Sequence, residues 1–243
     1  VIGGTSSVTE APAVTSTVPG VVDPAAVDAV RSRVRADGEV GAVLDRRVPE
    51  LVAYQSARYA RAYADVVEKV RQAEEKAVPG STQLTEAVAR NLYKLMAYKD
   101  EYEVARLALD PAMDEQLAAQ FGPGSRASYR LHPPVLRALG MKDKLELGPW
   151  FKPAFQALYR MRRVRGTRLD LFGYAEVRRI ERALVTEYRR TIEEILDRLD
   201  GTSLPQAVEI AELPDLVRGY EHVKLAGVEK YHLRLAELQS RLP

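Results

Sequence analysis

The sequence predicts a mainly α fold, an irregular helical bundle with at most a small β-hairpin within residues 127–147. Apolar residues recur at steps of three and four along several long stretches, which is the helical period. Strand-like alternation is confined to short pieces. The five prolines Pro123, Pro133, Pro134, Pro149 and Pro153 gather between residues 122 and 166, so continuous helix is interrupted there above all.

Residues 1–22 mix Gly, Ser, Thr, Pro and Val without a period and read as a flexible linker or tail. They lack the basic start and compact apolar run of a signal peptide. A chain that opens on such a stretch, at Val1 and without methionine, reads as part of something longer. Residues 23–243 then form a single helical domain.

Asp23 before Pro24 reads as a helix entry, with Asp as N-cap and Pro at the first helical position. That helix should stop by Asp37-Gly38. A long amphipathic helix is expected from around Val48, or slightly earlier, to Ala77. Its stripe is Leu51, Ala62, Val66, Val70 and Ala73, flanked by Tyr54, Tyr59 and Tyr63, with Pro49 starting or kinking it.

Pro79-Gly80-Ser81 breaks the chain. Thr82 with Glu86 then opens the stretch that organises the rest, residues 84–109 (LTEAVARNLYKLMAYKDEYEVARLAL), read as one long helix. Leu84, Val88, Leu92 and Leu95 begin its stripe, and Lys99, Tyr102, Glu103 and Arg106 continue it. A face meant only for a core should not turn ionisable, because an unpaired buried charge is strongly unfavourable.

A further helix is expected to Phe121, then extended pieces at 127–131 and 145–147 around a short helix at 135–139. Asp170 is expected to cap a helix running from Phe172 to about Leu199. Its predicted buried stripe is Val177, Ile180, Leu184, Tyr188, Ile192, Ile195 and Leu199. A short helix spans residues 204–212, and Pro214 is expected to open a final helix. Its stripe of Val217, Tyr220, Val223 and Tyr231 is studded with Arg218, Glu221, His222 and Lys224.

Composition narrows the chemistry. The chain has 243 residues, enough for one domain with a tail, and no cysteine, so disulfides, iron–sulfur ligation by Cys and Cys-type zinc sites cannot form within it. A net charge of +2 implies no global attraction to nucleic acid or membrane, and no apolar run is long enough to span a bilayer. Gly122 to Ala127 fits G-x-G-x-x-A, yet a helix precedes it where a dinucleotide site needs a strand, so a turn is the better reading. Glu229 and His232 make one Glu-x-x-His, where a di-iron bundle needs two. His132, before two prolines, reads as a structural residue in extended backbone.

Two features carry partner or site expectations. Residues 126–168 hold eleven Lys and Arg against Asp143 and Glu146, a balance of +9 that leaves the remaining chain at −7. The acid-free run of Arg160, Arg162, Arg163, Arg165 and Arg168 is a docking candidate for an acidic protein, a phosphate-bearing cofactor or nucleic acid, but a solvated face meeting the acidic neighbouring helices of the same chain is the better reading. Asn91, Lys99, Glu103, Arg106, His222 and Lys224 are candidates for a polar seam or channel. Lys99–Glu103 and Glu103–Arg106 have the spacing of ion pairs on one helix face.

Residues 85–107 (TEAVARNLYKLMAYKDEYEVARL) resemble the C-terminal helical region of the long, fused indolepyruvate ferredoxin oxidoreductases, in the 2-oxoacid:ferredoxin oxidoreductase group. Further matching stretches are YRLHPPVLRALG (129–140), LGPWFKPAF (147–155), RGTRLDLFGYAE (165–176) and LPDLVRGYEHVKL (213–225), in the same order. The resemblance implies a parent enzyme that oxidatively decarboxylates a 2-oxoacid to the acyl-CoA. It implies thiamine diphosphate, Mg²⁺ and an iron–sulfur cluster as cofactors, coenzyme A as substrate, and ferredoxin as electron acceptor.

The sequence contains neither a Gly-Asp-Gly thiamine diphosphate motif nor a cysteine, so the resemblance places no catalytic, cofactor-binding or metal-binding residue on it. The chain is expected to be an accessory domain, inactive alone and holding no cofactor. The expected partners are the catalytic domains of the same chain, ferredoxin and a second protomer of a homo-oligomer, in the cytoplasm, without nucleic acid or membrane. A free-standing helical module for an acidic protein or nucleic acid is the competing class.

Overall fold

The computed structural model describes residues 22–122, 129–131, 145–147, 149–219 and 221–241, and the fold is mainly α. Ten α-helices lie among the described residues: α1 (Pro24–Arg31), α2 (Gly38–Tyr54), α3 (Ala57–Ala77), α4 (Gln83–Met96), α5 (Glu101–Ala108), α6 (Pro111–Phe121), α7 (Lys152–Arg160), α8 (Glu176–Leu196), α9 (Leu204–Glu212) and α10 (Glu221–Gln239). Strands β1 (Tyr129–Leu131) and β2 (Leu145–Leu147) pair antiparallel, Tyr129 opposite Leu147, as the expected small hairpin. The helix expected at 135–139, the tail before residue 22 and His132 lie outside the described residues.

Helix α4 sits at the centre, packed against α2, α3, α8 and α9. Leu84, Val88, Leu92, Leu95 and Met96 are buried on it, and each such side chain contributes about 1.5–3 kcal/mol relative to leaving it in water. They join Leu44, Leu51, Tyr63, Tyr188, Ile192, Ile210 and Tyr231 in the main core. A second, small cluster forms around Ala105 and Phe155, where α5 meets α7.

Local chemistry explains the element ends. Asp23 accepts from the Ala25 amide at 3.0 Å and Pro24 begins α1, as the sequence indicates. The expected helix from Val48 to Ala77 is two helices, with Pro49 inside the first. The chain breaks at Gln55, and Ser56 caps α3 by accepting from the Tyr59 amide at 3.2 Å. The buried face of α3 carries Ala60, Tyr63, Ala64, Val67, Val70 and Glu74, turned so that Ala62 and Ala73 are only half-buried.

Thr82 makes no capping bond to α4 and instead donates its hydroxyl to Glu86 at 2.9 Å. The cap comes from α3. The fully buried Glu74 accepts from the amides of Leu84 and Thr85 at 2.9 and 2.8 Å, and from the Thr85 and Ser81 hydroxyls. Asp170 likewise caps a turn rather than the helix expected from Phe172. It accepts from the Gly173 amide, and α8 begins only at Glu176 after Ala175. Pro214 opens a 3-10 turn (Leu213–Leu216), and α10 starts later, at Glu221.

Candidate functional site

The organising stretch is two helices. Helix α4 ends at Met96 and α5 begins at Glu101, without a glycine or proline between them. Two tyrosines from the α2–α3 corner hold the carbonyls freed at the break: Tyr59 donates to the Met96 carbonyl at 2.9 Å and Tyr54 to that of Tyr98 at 3.0 Å. Asp100 caps α5 by accepting from the Glu103 amide at 2.9 Å.

That same carboxylate is gripped by Arg165. The guanidinium places Nε 2.5 Å from Oδ2 and Nη2 2.8 Å from Oδ1 of Asp100, with the two residues 4% and 3% exposed. It donates Nη1 to the Tyr54 carbonyl and stacks over the Tyr54 ring at 3.6 Å. Burial pulls the guanidinium pKa down. The bond to Asp100 and the neighbouring charges more than reverse this, so it is raised and the group stays cationic.

A second buried carboxylate stands nearby. Asp170 accepts from the Tyr102 hydroxyl at 3.0 Å and from the amides of Gly166 and Gly173 at 2.8 and 3.0 Å. Burial, then the charge of Asp170 and its bond, push the Tyr102 phenol up. Gly166 adopts φ 76°, a left-handed turn suited to glycine. At Gly173, a Cβ would fall 2.5 Å from the Asp170 carboxylate. The stretch 165–173 is therefore pinned to α5 at both Arg165 and Asp170.

Of the seam candidates, Glu103 and Arg106 form a buried two-bond pair, at 2.9 and 2.6 Å. Asn91 is buried and donates to the Ala87 carbonyl at 2.9 Å. Lys99 is exposed and does not pair with Glu103 as its spacing suggested, because Arg106 takes both carboxylate oxygens. Lys224 reaches Glu181 on α8, which also accepts from Arg178 at 2.7 Å. Glu101 lies 3.5 Å from Arg178, and burial raises its pKa against the lowering effect of that cation. The side chain of His222 lies outside those described.

Lys99 and Lys224 do converge on one cavity of about 330 Å³, with Lys94 and Arg218 at the same opening, Glu181 as the acid lining it beside Lys224, and Leu95, Leu184 and Val217 also on its wall. Glu103, Arg106 and Asn91 are not part of it. One expected seam is thus an α5 pair and a separate cationic cavity. Among the described residues no group of three or more His, Asp or Glu is placed to hold a metal ion. The His232 Nε2 instead meets Glu187 at 3.0 Å.

The arginine run divides as well. Arg165 is interior, which corrects its assignment as a docking residue: the nearest strong acceptor is Asp100 of its own chain. Arg162 is half-buried over the Tyr159 ring at 4.1 Å and donates to the Tyr159 carbonyl at 3.2 Å. Burial lowers its pKa, with the cations of Arg163 and Arg165 adding to the effect against Tyr159. Arg160, Arg163 and Arg168 are exposed and form no ion pair with another described residue. A second cavity, of about 480 Å³, is lined by Thr167, Arg168, Asp170, Tyr174, Arg179 and Arg182, with the two glycines of the pinned stretch.

Sequence reasoning missed Glu74, the carbonyl bonds of Tyr54 and Tyr59, which it placed only beside a helix stripe, and the inward role of Arg165, because each acts on residues distant in sequence. Tyr102 was on the expected stripe, but its partner Asp170 is 68 residues away. No helix among the described residues is long and apolar enough to cross a membrane. No curated protein and no solved structure matches the chain. Residues 40–237 match a family described as a family of unknown function, DUF6537, and since the match covers most of the sequence, the chain belongs to that family.

Proposed function

We propose that this chain is a non-catalytic helical domain of a thiamine-diphosphate-dependent 2-oxoacid:ferredoxin oxidoreductase of the indolepyruvate type. It packs on the catalytic domains or on the partner protomer, and its exposed cations dock ferredoxin. The observation that carries the reading is the series of five motifs in one order from Thr85 to Leu225. The geometry supports an accessory role: Asp100, Glu103, Arg106, Arg165 and Asp170 hold one another and the backbone, and such buried networks fix structure. Thiamine diphosphate, Mg²⁺, the iron–sulfur cluster and coenzyme A belong, on this reading, to other domains of the parent.

The reading is tested on the complete encoded protein. A Gly-Asp-Gly motif and clustered cysteines upstream of Val1, together with 2-oxoacid- and CoA-dependent ferredoxin reduction, are expected. A complete protein with neither the motif nor the activity would sink it. The same exposed Arg160, Arg163 and Arg168 also suit a second reading, a free-standing helical binding module for an acidic protein or nucleic acid. A gel shift of this chain with duplex DNA or RNA tests the nucleic-acid form of that reading and a pull-down the acidic-protein form, since the accessory domain alone should bind neither tightly.

A further inference from the structure

Residues 165–174 (RGTRLDLFGY) invert the usual order of burial. Arg165 and Asp170 are 4% and 3% exposed, while Leu169, Leu171 and Tyr174 are 71%, 66% and 59% exposed. Single exposed apolar side chains are ordinary on soluble proteins. Three within six residues, beside charged neighbours that point inward, are a different matter.

The loop cannot turn to hide them. Asp170 is tied to Tyr102, Gly166 and Gly173, and Arg165 to Asp100. The Tyr174 hydroxyl donates to the Arg168 carbonyl at 2.9 Å, which fixes the ring at the surface. Arg179 donates twice to the Tyr174 carbonyl, and Arg182 donates to that of Gly173, so the loop is also fastened to α8. Burying the leucines would pull two buried charges from their partners, which is the larger cost.

The surroundings are cationic. Arg168, Arg179 and Arg182 line the 480 Å³ cavity beside Tyr174, and Asp170 is the acid lining it. Arg168 and Arg179 meet no carboxylate among the described residues. The Nη1 of Arg182 has no hydrogen-bond partner there and lies 3.8 Å from Asp170.

A small anion would use these arginines and leave the leucines wet. An acidic protein surface with an apolar centre accounts for both, and tyrosine and arginine are the residues such interfaces favour. We propose that Leu169, Leu171 and Tyr174, with Arg168 and Arg179, form the docking surface for an acidic protein partner. Its apolar centre covers the two leucines, and its carboxylates meet the arginines at the mouth of the cavity. This deepens the docking part of the reading above, and rests on it only for the choice of probe.

The test is biolayer interferometry of the 243-residue chain against a purified acidic ferredoxin at low and high salt. Leu171→Ser and Arg168→Glu are used because both side chains are exposed, and circular dichroism checks that each variant keeps the fold. Each is expected to weaken binding about tenfold or more. Arg168→Glu should act mainly on the association rate, and the wild-type affinity should fall with salt.

No binding by the wild type, or equal binding by both variants, overturns the proposal. So does stabilisation by inorganic phosphate through Arg168 without any effect of Leu171→Ser, which would mark a small-anion site. Ferredoxin bound elsewhere removes this surface and leaves the parent reading standing. Patch-dependent binding in a protein without the thiamine diphosphate motif does the reverse.

Discussion

Arg165 closes on Asp100 across 65 residues of chain, with both carboxylate oxygens engaged at 2.5 and 2.8 Å. The pair ties the loop after α7 to the break between α4 and α5, and so joins the small cluster around Phe155 to the main core. Removing one partner leaves the other charge buried. Arg165→Met is therefore expected to cost about 3–5 kcal/mol in urea unfolding. Arg165→Lys should recover only part of this, since an ammonium cannot bridge both oxygens. A loss below about 1 kcal/mol for the Met variant, typical of an exposed pair, would show that the bridge is dispensable.

Glu74 is a helix cap supplied from outside the helix. Its two oxygens hold two amides and two hydroxyls at the start of α4. Glu74→Ala opens a cavity and strands those donors, so a loss of about 2–4 kcal/mol is expected, against about 1 for an ordinary surface cap. Hydrogen exchange should show the Leu84 and Thr85 amides losing protection first. Unchanged protection there would remove Glu74 from this role.

Gly173 tests the pinned loop. A methyl group at this position meets the Asp170 carboxylate at 2.5 Å and the Arg182 guanidinium at 2.8 Å. Gly173→Ala should destabilise by about 1–3 kcal/mol, as overpacking does. Gly80→Ala, which meets no neighbour but sits at φ 82°, separates steric crowding from backbone strain. If the two variants lose the same amount, crowding at Asp170 is not the cause.

Alkali should unfold the protein through its tyrosines. Tyr54, Tyr63 and Tyr188 are buried donors to carbonyls, and burial raises all three phenols, while Tyr98 is pushed up to about 12. Below about pH 10 both states keep these protons, so stability is unaffected. Above it the unfolded chain releases protons that the native state retains, and stability falls as pH rises. Tyrosinate absorbance should therefore lag and then rise together with the loss of helical circular dichroism. A smooth titration near the ordinary phenol value, with the helix intact, would contradict this.

Much of the fold was legible. The stripe of α8 from Leu184 to Ile195, the limits of α9, the Asp23-Pro24 entry of α1 and the β1–β2 hairpin all follow from period, caps and prolines. These are signals carried by neighbours within a few residues. The breaks at Gln55 and at Tyr98 to Asp100 carry no Gly or Pro. At the first, Tyr159 and Arg165 hold the Ala53 and Tyr54 carbonyls, and at the second, Tyr59 and Tyr54 hold those of Met96 and Tyr98 while Arg165 grips Asp100.

The site divides along the same line. Sequence alone determined that ionisable residues would enter a helical face near Glu103 and Arg106, and that residues 160–168 would be rich in arginine. Only the tertiary structure decided which arginines are interior. Arg165 and Arg168 are three residues apart and of one type. The first meets a buried carboxylate and the second meets solvent. An arginine's charge is fixed by its chemistry, but its role is fixed by what lies opposite it, and Asp100 is brought opposite Arg165 only when the chain folds.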